Sequence, residues 1–174
     1  MAVPKSTDRL QFRQMTLQDE GLIYALFSDA EARRHYPSMG GHAECRKWIG
    51  WNRESYDVHG FGLWLLHRKD TGEFVGDCGL SMQKVENRQL LEVGYHITES
   101  QRGNGFAAEA AQAAIRYGFA CTEHAECVSI VAPENLRSIR VASGIHQHSR
   151  GFHNAHGAIR LLFWTRQSEH QNEL

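Results

Sequence analysis

The stretch that decides the fold is Glu92-Val-Gly-Tyr-His-Ile97-Thr-Glu-Ser-Gln-Arg-Gly103-Asn-Gly105-Phe-Ala-Ala-Glu-Ala-Ala111. It begins as a strand, breaks at a glycine-rich turn and continues as an alanine-rich helix. Gly103 and Gly105 let the backbone approach a ligand closely, and the following helix points its free N–H groups back at the turn. Unpaired amides and the helix dipole together attract anions at such a helix start. Arg102 adds a full positive charge there. Residues 101–107 therefore offer a cradle for a phosphate or pyrophosphate.

Downstream, Ala107, Ala108, Ala111, Ala114, Ile115, Gly118 and Phe119 form one stripe of small apolar residues, a face that can pack closely on a sheet. Glu126 to Ala132 reads as a buried strand, reached through that helix and so parallel to the strand before it. Pro133 opens a short helix that runs to Ala142. The chain is then glycine- and histidine-rich until a last strand, Ala158 to Thr165. Upstream, Arg9 to Met15 alternates as a first strand, and Thr16-Leu-Gln-Asp19 has capping-box spacing ahead of Leu22, Ile23, Leu26 and Phe27. After a break at residues 36–41, a second helix covers Ala43 to about Tyr56 and buries Cys45, Trp48, Ile49 and Tyr56. Trp51 lies off that stripe, toward a groove or a partner. Phe61 to His67, Phe74 to Met82 and Leu90 to Ile97 form an antiparallel meander. Its turn is Arg68 to Gly72 and its polar loop Lys84 to Gln89, and Gly76 and Gly79 mark a site for a bulge.

The 174 residues suit one domain, and a formal charge of −1 gives no global attraction for nucleic acid or anionic membrane. Cys45, Cys78, Cys121 and Cys127 are scattered, with no Cys-x-x-Cys pair, which fits free thiols in a reduced, cytoplasmic setting. No apolar run approaches the ~20 residues of a membrane helix. The expected domain spans residues 9–167, with residues 1–8 and 168–174 as flexible tails.

Gly103-x-Gly105-x-x-Ala108 also fits a dinucleotide fingerprint, and an NAD-dependent oxidoreductase is one reading. That fingerprint normally opens a parallel sheet, with an acid ending the next strand. Here it follows two helices and a meander, and Glu123 and Glu126 precede the next strand instead of ending it.

This order of elements, with Gln101-Arg-Gly-Asn-Gly-Phe-Ala107 at its centre, resembles the GNAT superfamily of N-acetyltransferases, and within it the branch of ribosomal-protein N-terminal acetyltransferases. Leu91 to Ile97 is similar to that branch's fourth strand. Gln101 to Ala107 is similar to its acetyl-CoA pyrophosphate loop, and Val131 to Ala142 to the segment after its fifth strand, carrying Asn135 and Ser138. The resemblance covers about Arg9 to Arg166. It implies an α/β (α+β) single domain with a mixed sheet of six to seven strands, about four helices, and strands four and five splayed apart. It implies acetyl-CoA as co-substrate, no metal, and an amine acceptor that is either a small molecule or a protein N-terminus, in a monomer or homodimer.

On that resemblance, the backbone of Tyr95, His96 and Ile97 would bond the pantetheine amides. The N–H groups of Gln101, Arg102, Gly103, Asn104, Gly105, Phe106 and Ala107 would hold the pyrophosphate. Asn135 would contact the pantetheine arm or order the local backbone, and Arg137 and Arg140 would reach the adenosine 3′-phosphate. Glu92 is the implied general base, a backbone N–H between Val93 and Tyr95 the oxyanion donor, and Ser138 the acid for the thiolate. The family often has a tyrosine acid in the helix after Asn135, where this chain has none after Tyr117, so His146 is a second candidate acid. A non-catalytic acyl-CoA-binding module is therefore an alternative function.

His146, His148, His153 and His156 have spacings that match no standard zinc pattern, which favours a solvated or substrate-lining loop. His35, His42 and His59 lie in or beside the first two helices, where the family builds its acceptor pocket. Nearby acids (Asp29, Glu31, Glu44, Glu54 and Asp57) bear on whether that pocket suits a basic acceptor.

Overall fold

The computed structural model describes residues 3–170. One seven-stranded sheet runs in the order β1-β2-β3-β4-β5-β7-β6. Its strands are β1 (Leu10–Arg13), β2 (Leu63–Arg68), β3 (Phe74–Val85), β4 (Arg88–Ile97), β5 (Glu126–Val131), β6 (His148–His153) and β7 (Ile159–Arg166). The helices are α1 (Glu20–Leu26), α2 (Ala30–His35), α3 (His42–His59), α4 (Phe106–Cys121), α5 (Leu136–Ile145) and α6 (Gln167–His170). β4 and β5 are parallel and every other neighbouring pair is antiparallel. No described helix is long and apolar enough to cross a membrane.

Two helical layers cover the sheet. On one face α1 and α3 bring Ile23, Leu26, Cys45 and Ile49 onto Leu63 and Leu65. On the other, the alanine stripe of α4 packs on Trp64, Cys78, Leu80, Leu91 and Cys127. The stripe has to be small. A Cβ on Gly118 would stand 2.9 Å from Leu91 Cδ2 and 3.0 Å from Leu80 Cδ1. β3 carries the expected bulge, where the register with β2 slips between Leu66 opposite Gly76 and His67 opposite Phe74. A Cβ on Gly76 would meet His96 O at 2.0 Å, so β3 and β4 approach more closely there than a side chain would allow.

Several expected boundaries move. The polar loop of residues 84–89 contracts to a two-residue turn, because Val85 pairs with Arg88 and Lys84 with Gln89. Exposed polar side chains at the sheet's end hide strand pairing from a hydropathy reading. α2 is six residues long, too short for a periodic stripe, yet Asp29 caps it by accepting from Glu31 N and Ala32 N. β6 buries only Phe152, so it shows no alternation. The N-terminal segment is docked where a loose tail was expected. Pro4 is buried, Val3 packs on the α4-side core, and Thr7 Oγ1 donates to Glu109 Oε1 at 2.5 Å. The expected C-terminal tail falls partly in α6, with Glu169 bonded to His148 at 2.7 Å. Residues 1–2 and 171–174 lie outside the described part.

The expected capping box governs how α1 begins. Asp19 accepts from Thr16 N (2.7 Å) and Thr16 Oγ1 (2.9 Å) and takes both Arg13 amines at 2.6 and 2.8 Å. Burial alone would raise its carboxyl, but the bonds from Arg13 and Thr16 outweigh this and hold it at about 2, against 3.8 ordinarily. A depressed folded pKa stabilises the fold above the unfolded value, and that stability is lost as pH falls through the folded value. Replacing Asp19 with Asn is expected to cost ~2 kcal/mol at neutral pH. In urea unfolding followed by tryptophan fluorescence, the gap from wild type should close between about pH 4 and pH 2.

Candidate functional site

β4 and β5 pair for only two rungs, Leu91 with Cys127 and Glu92 with Val128. β4 then continues to Ile97, held on its other side by β3 as far as Gly76 opposite Ile97. The two strands part after Val128, and side chains occupy the fork. Ile130 N donates to Glu92 Oε1 at 3.3 Å, and Ser129 Oγ donates to Val93 O at 3.3 Å. Beyond them the β5-facing edge of Gly94 to His96 is open, and the carbonyl of Ile97 is met by Arg102 Nε at 3.0 Å.

The glycine turn lies at the wide end of this fork. Gly103 and Gly105 take φ of 80° and 78°, the left-handed region that favours glycine. Among the described residues no protein acceptor meets the amide N–H groups of residues 103–108; the first paired amide of α4 is Glu109 N, on Gly105 O at 3.1 Å. Unpaired N–H groups in a glycine turn and the helix start that follows it offer an anion site. Asn104 Nδ2 ties the turn to Gln101 O at 3.0 Å, and Arg9 reaches Asn104 O at 2.9 Å while pairing with Glu109 at 2.5 Å.

Arg102 does not lend its charge to this cradle. Its guanidinium is clamped on Asp29 at 2.6 and 3.0 Å and on Ile97 O at 3.0 Å. Anion binding falls to the backbone amides from residue 103 onward, because the expected donors Gln101 N and Arg102 N are already bonded to Thr98 O at 3.0 Å and Glu99 O at 3.4 Å. The Arg102 side chain instead fixes the turn to the cap of α2. Arg137 pairs with Glu31 at 3.0 Å, whereas Arg140 makes no ion pair among the described residues. Both line the groove that runs from the turn along α5, a space of ≈ 820 Å³.

A second cleft of ≈ 420 Å³ opens on the sheet face carrying α3, with Glu92, Trp48, Trp51, Gln83 and Arg160 in its walls. His35, Tyr36, Tyr95, His96, Asn135 and Ser138 line both spaces, so groove and cleft meet at the fork. Burial pushes the Glu92 carboxyl up to about 7, against weaker opposing bonds from Ile130 N and Ser81. Under the cleft lies Asp77, fully buried, accepting from Trp48 Nε1 at 3.1 Å and bonded to His96 Nδ1 at 2.6 Å. Tyr36 packs edge-on to His96 with centroids 4.6 Å apart, and burial lifts its hydroxyl to about 12.

The structure therefore gathers Glu92, Tyr95, His96, Asn135 and Ser138 around one passage. Asn135 caps α5 by accepting from Ser138 N at 3.1 Å. Tyr95 OH donates to Ser138 O at 3.0 Å, bridging β4 to α5 across the fork, and burial raises its hydroxyl. His146 is not brought into the passage. It is 8% exposed, its Nε2 lies 2.9 Å from Ser129 Oγ, and burial lowers it to about 4, so it is neutral near pH 7 and unsuited to give up a proton. His148 stacks on Trp164, and no group of three metal-ligating side chains occurs among the described residues. Of the three upstream histidines only His35 lines the passage; His42 bonds Glu20 at 2.7 Å and His59 stacks on Phe61.

Sequence reasoning missed Tyr36, Trp48, Asp77, Gln83 and Arg160 as site residues. Two of them had left a signal, since Asp77 and Arg160 are charges inside otherwise apolar strands. Tyr36, in a loop before Pro37, left none.

Residues 9–146 match the family model of the acetyltransferase (GNAT) domain. The chain is 36% identical over 143 residues, 82% of its own length and 83% of the relative's, to the uncharacterised protein YkkB of Bacillus subtilis (strain 168). It is 31% identical over 137 residues to the uncharacterised N-acetyltransferase YoaA of the same organism, covering 78% and 77% of the two chains. In fold it is similar to an acetyltransferase from Agrobacterium tumefaciens str. C58, with a TM-score of 0.77, 23% identity and 96% of each chain covered. It is also similar in fold to RimL, a ribosomal L7/L12 alpha-N-protein acetyltransferase solved in complex with coenzyme A, with a TM-score of 0.75, 18% identity and coverage of 95% and 98%.

A carboxyl raised from 4.5 to about 7 is held protonated more tightly by the folded chain than by the unfolded one. Its effect on stability is therefore most favourable at low pH, and worsens as pH rises through the interval between those values. Glu92→Gln keeps an acceptor for Ile130 N and offers a donor to Ser81. It should raise the melting temperature at about pH 8 and change it little at about pH 5, read by differential scanning calorimetry.

Proposed function

The chain belongs to the GNAT acetyltransferase family, and from that premise we propose that it moves the acetyl group of acetyl-CoA to a primary amine by direct attack in a ternary complex, with Glu92 as general base. One observation carries the reading: a cradle of unpaired amides and a cleft holding a carboxyl near 7 are joined through the fork between β4 and β5. The unpaired amides of residues 103–107, with the turn fixed through Gln101, suit a pyrophosphate. The open edge of Tyr95 and His96, ending where Arg102 takes the carbonyl of Ile97, suits the amides of a pantetheine arm, beside Asn135.

A thioester supplies an already activated acyl group, so the protein has only to align the amine and manage its protons. Near neutral pH a carboxyl titrating at about 7 is substantially ionised and basic enough to accept a proton from the entering ammonium. The amine nitrogen then bonds the acyl carbon. Charge growing on the carbonyl oxygen is met by a β4 backbone N–H between Val93 and Tyr95. The C–S bond breaks as the carbonyl re-forms, and the second amine proton ends on the departing thiolate. Ser138, whose hydroxyl makes no hydrogen bond among the described residues, stands where both spaces meet and is the proposed acid for that thiolate.

A second reading, a module that binds acyl-CoA without turnover, is favoured by one feature: α5 carries no tyrosine hydroxyl. Steady release of free thiol in the presence of an accepted amine removes that reading; its absence across a broad amine panel removes catalysis.

Glu92→Gln should lower kcat by about 10²–10⁴ while leaving acetyl-CoA affinity within about threefold, by thiol release and calorimetry. Wild-type kcat/KM should rise with pH through a midpoint near 7, the ionised carboxylate being the active form. Gly105→Val places a β-branched side chain at a φ of 78° and should weaken acetyl-CoA binding about tenfold or more.

A further inference from the structure

Resting on the reading of the α3-side cleft as the acceptor pocket, we propose that its acceptor is an amine bearing a carboxylate and a large apolar or aromatic body, and that Arg160 holds the carboxylate. The charge inventory of the cleft points this way. Among its lining residues Glu92 is the one carboxylate, and Arg160 the one permanent cation. Once Glu92 takes the reacting amine's proton, no acid in the cleft is left to bind a second ammonium. Polyamines and aminoglycosides would meet a cation in place of the acids they need.

Arg160 is unusual among the arginines of this chain. Arg9, Arg13, Arg46, Arg68, Arg88, Arg102, Arg137, Arg150 and Arg166 all pair with carboxylates. Arg33, Arg34, Arg53, Arg116 and Arg140 do not, but these are exposed and solvated. Arg160 alone is half-buried with no carboxylate partner among the described residues. Its single hydrogen bond is from Nη1 to its neighbour's Ile159 O at 2.8 Å. A partly desolvated guanidinium with most of its donors unused is poised for a planar anion, which it can take in a bidentate grip.

Strand register puts the two charges on one face. Glu92 lies opposite Val128, Val128 opposite Trp164, and Arg160 four residues before Trp164 on β7. An even separation keeps Arg160 on the face of Trp164, Leu162 and Ile130, the face Glu92 shares with Leu90. Their Cα atoms are thus ~10 Å apart across the strands and ~13 Å along them. Both side chains enter the same cleft. Base and anion grip therefore reach into the cleft from two directions, so that the amine of one acceptor can face Glu92 while its carboxylate faces Arg160. One wall of the same cleft is aromatic. Trp48 and Trp51 sit 5.4 Å apart by centroid, Trp48 is pinned by Asp77, and Trp51 is 41% exposed. Such a wall favours a flat or bulky apolar body over a hydrated one.

The test measures thiol release from acetyl-CoA with L-phenylalanine, L-tryptophan and L-leucine, their carboxamides, spermidine and a C-terminally amidated peptide with an N-terminal alanine and no acidic side chain. In parallel, calorimetry follows N-acetyl-L-phenylalanine binding to the CoA-saturated protein. At least one amino acid should exceed its own amide, and spermidine, by about tenfold or more in kcat/KM. Arg160→Gln should bring the acid-to-amide ratio close to unity by raising KM for the acid, Arg160→Lys should restore part of it, and Arg160→Gln should weaken the N-acetyl probe in step. Amides equal to acids, spermidine or the peptide as the preferred acceptor, or an Arg160→Gln loss shared equally by acid and amide would each overturn the proposal and leave the transferase reading standing. Arg160-dependent probe binding without turnover of any amine would instead overturn the transferase reading and keep the anion grip.

Discussion

Where β4 and β5 part after Glu92 and Val128, main-chain donors and acceptors on both strands lose their partners inside the protein. Buried backbone polar groups left unpaired are costly, so a fork in a sheet persists only if something else meets them. At its narrow end this chain uses its own side chains, with Glu92 accepting from Ile130 N and Ser129 donating to Val93 O. Tyr95 spans the fork to Ser138 O, and Ser129 is backed by His146 from the closing turn of α5. At the wide end Arg102 meets Ile97 O, but at Gly94 to His96 no side chain substitutes for the strand, and in the proposed reading an extended ligand with amide groups supplies what is missing. The fork is thus a binding site because the sheet is unfinished there.

The surrounding elements can be understood as holding that unfinished edge in place. β3 pairs with β4 over its whole length, and the bare backbone at Gly76 lets it do so to the last residue. α4 packs closely enough, through alanine and Gly118, to aim its first unpaired amides at the fork. Arg102 and Arg9 tie the turn to α2 and to the N-terminal segment, so the cradle is fixed by ion pairs on its outer side and stays lined with amides within. Fixed dipoles hold an anion without having to reorganise around it.

Much of this was legible in the sequence because it depends on local signals. A strand, two glycines at left-handed φ and an alanine stripe leave their marks within twenty residues, as do Asn135 and Ser138 three apart at a helix start. The parallel step from β4 to β5 follows from the helix between them. What was not legible depends on pairs far apart in the chain. The partner of Arg102 lies 73 residues away at Asp29, and that of His96 is Asp77 on the neighbouring strand. Trp48 reaches the passage because α3 folds over the sheet and meets Asp77, and Tyr36 because its ring packs on His96 of β4. The charge of Arg102 goes elsewhere than its position suggests for this reason: a cation beside a glycine turn attracts any anion, and the protein had its own in Asp29.

Glu92 joins structure and chemistry in a single carboxylate. Burial at the fork is what pushes it toward neutral pH, and burial there is unavoidable, since it stands where a backbone acceptor would have stood. When it takes up a proton, Oε1 can keep its bond from Ile130 N while the proton resides on Oε2. Ser81, which donates to Oε2 at 3.2 Å in the ionised state, then has only to rotate its hydroxyl and accept. Gln83 Nε2 donates to the same Ser81 oxygen at 3.3 Å and can do so in either state. A proton is thereby received by turning one hydroxyl, with no strand displaced, so the base can cycle while the fork it closes keeps its shape.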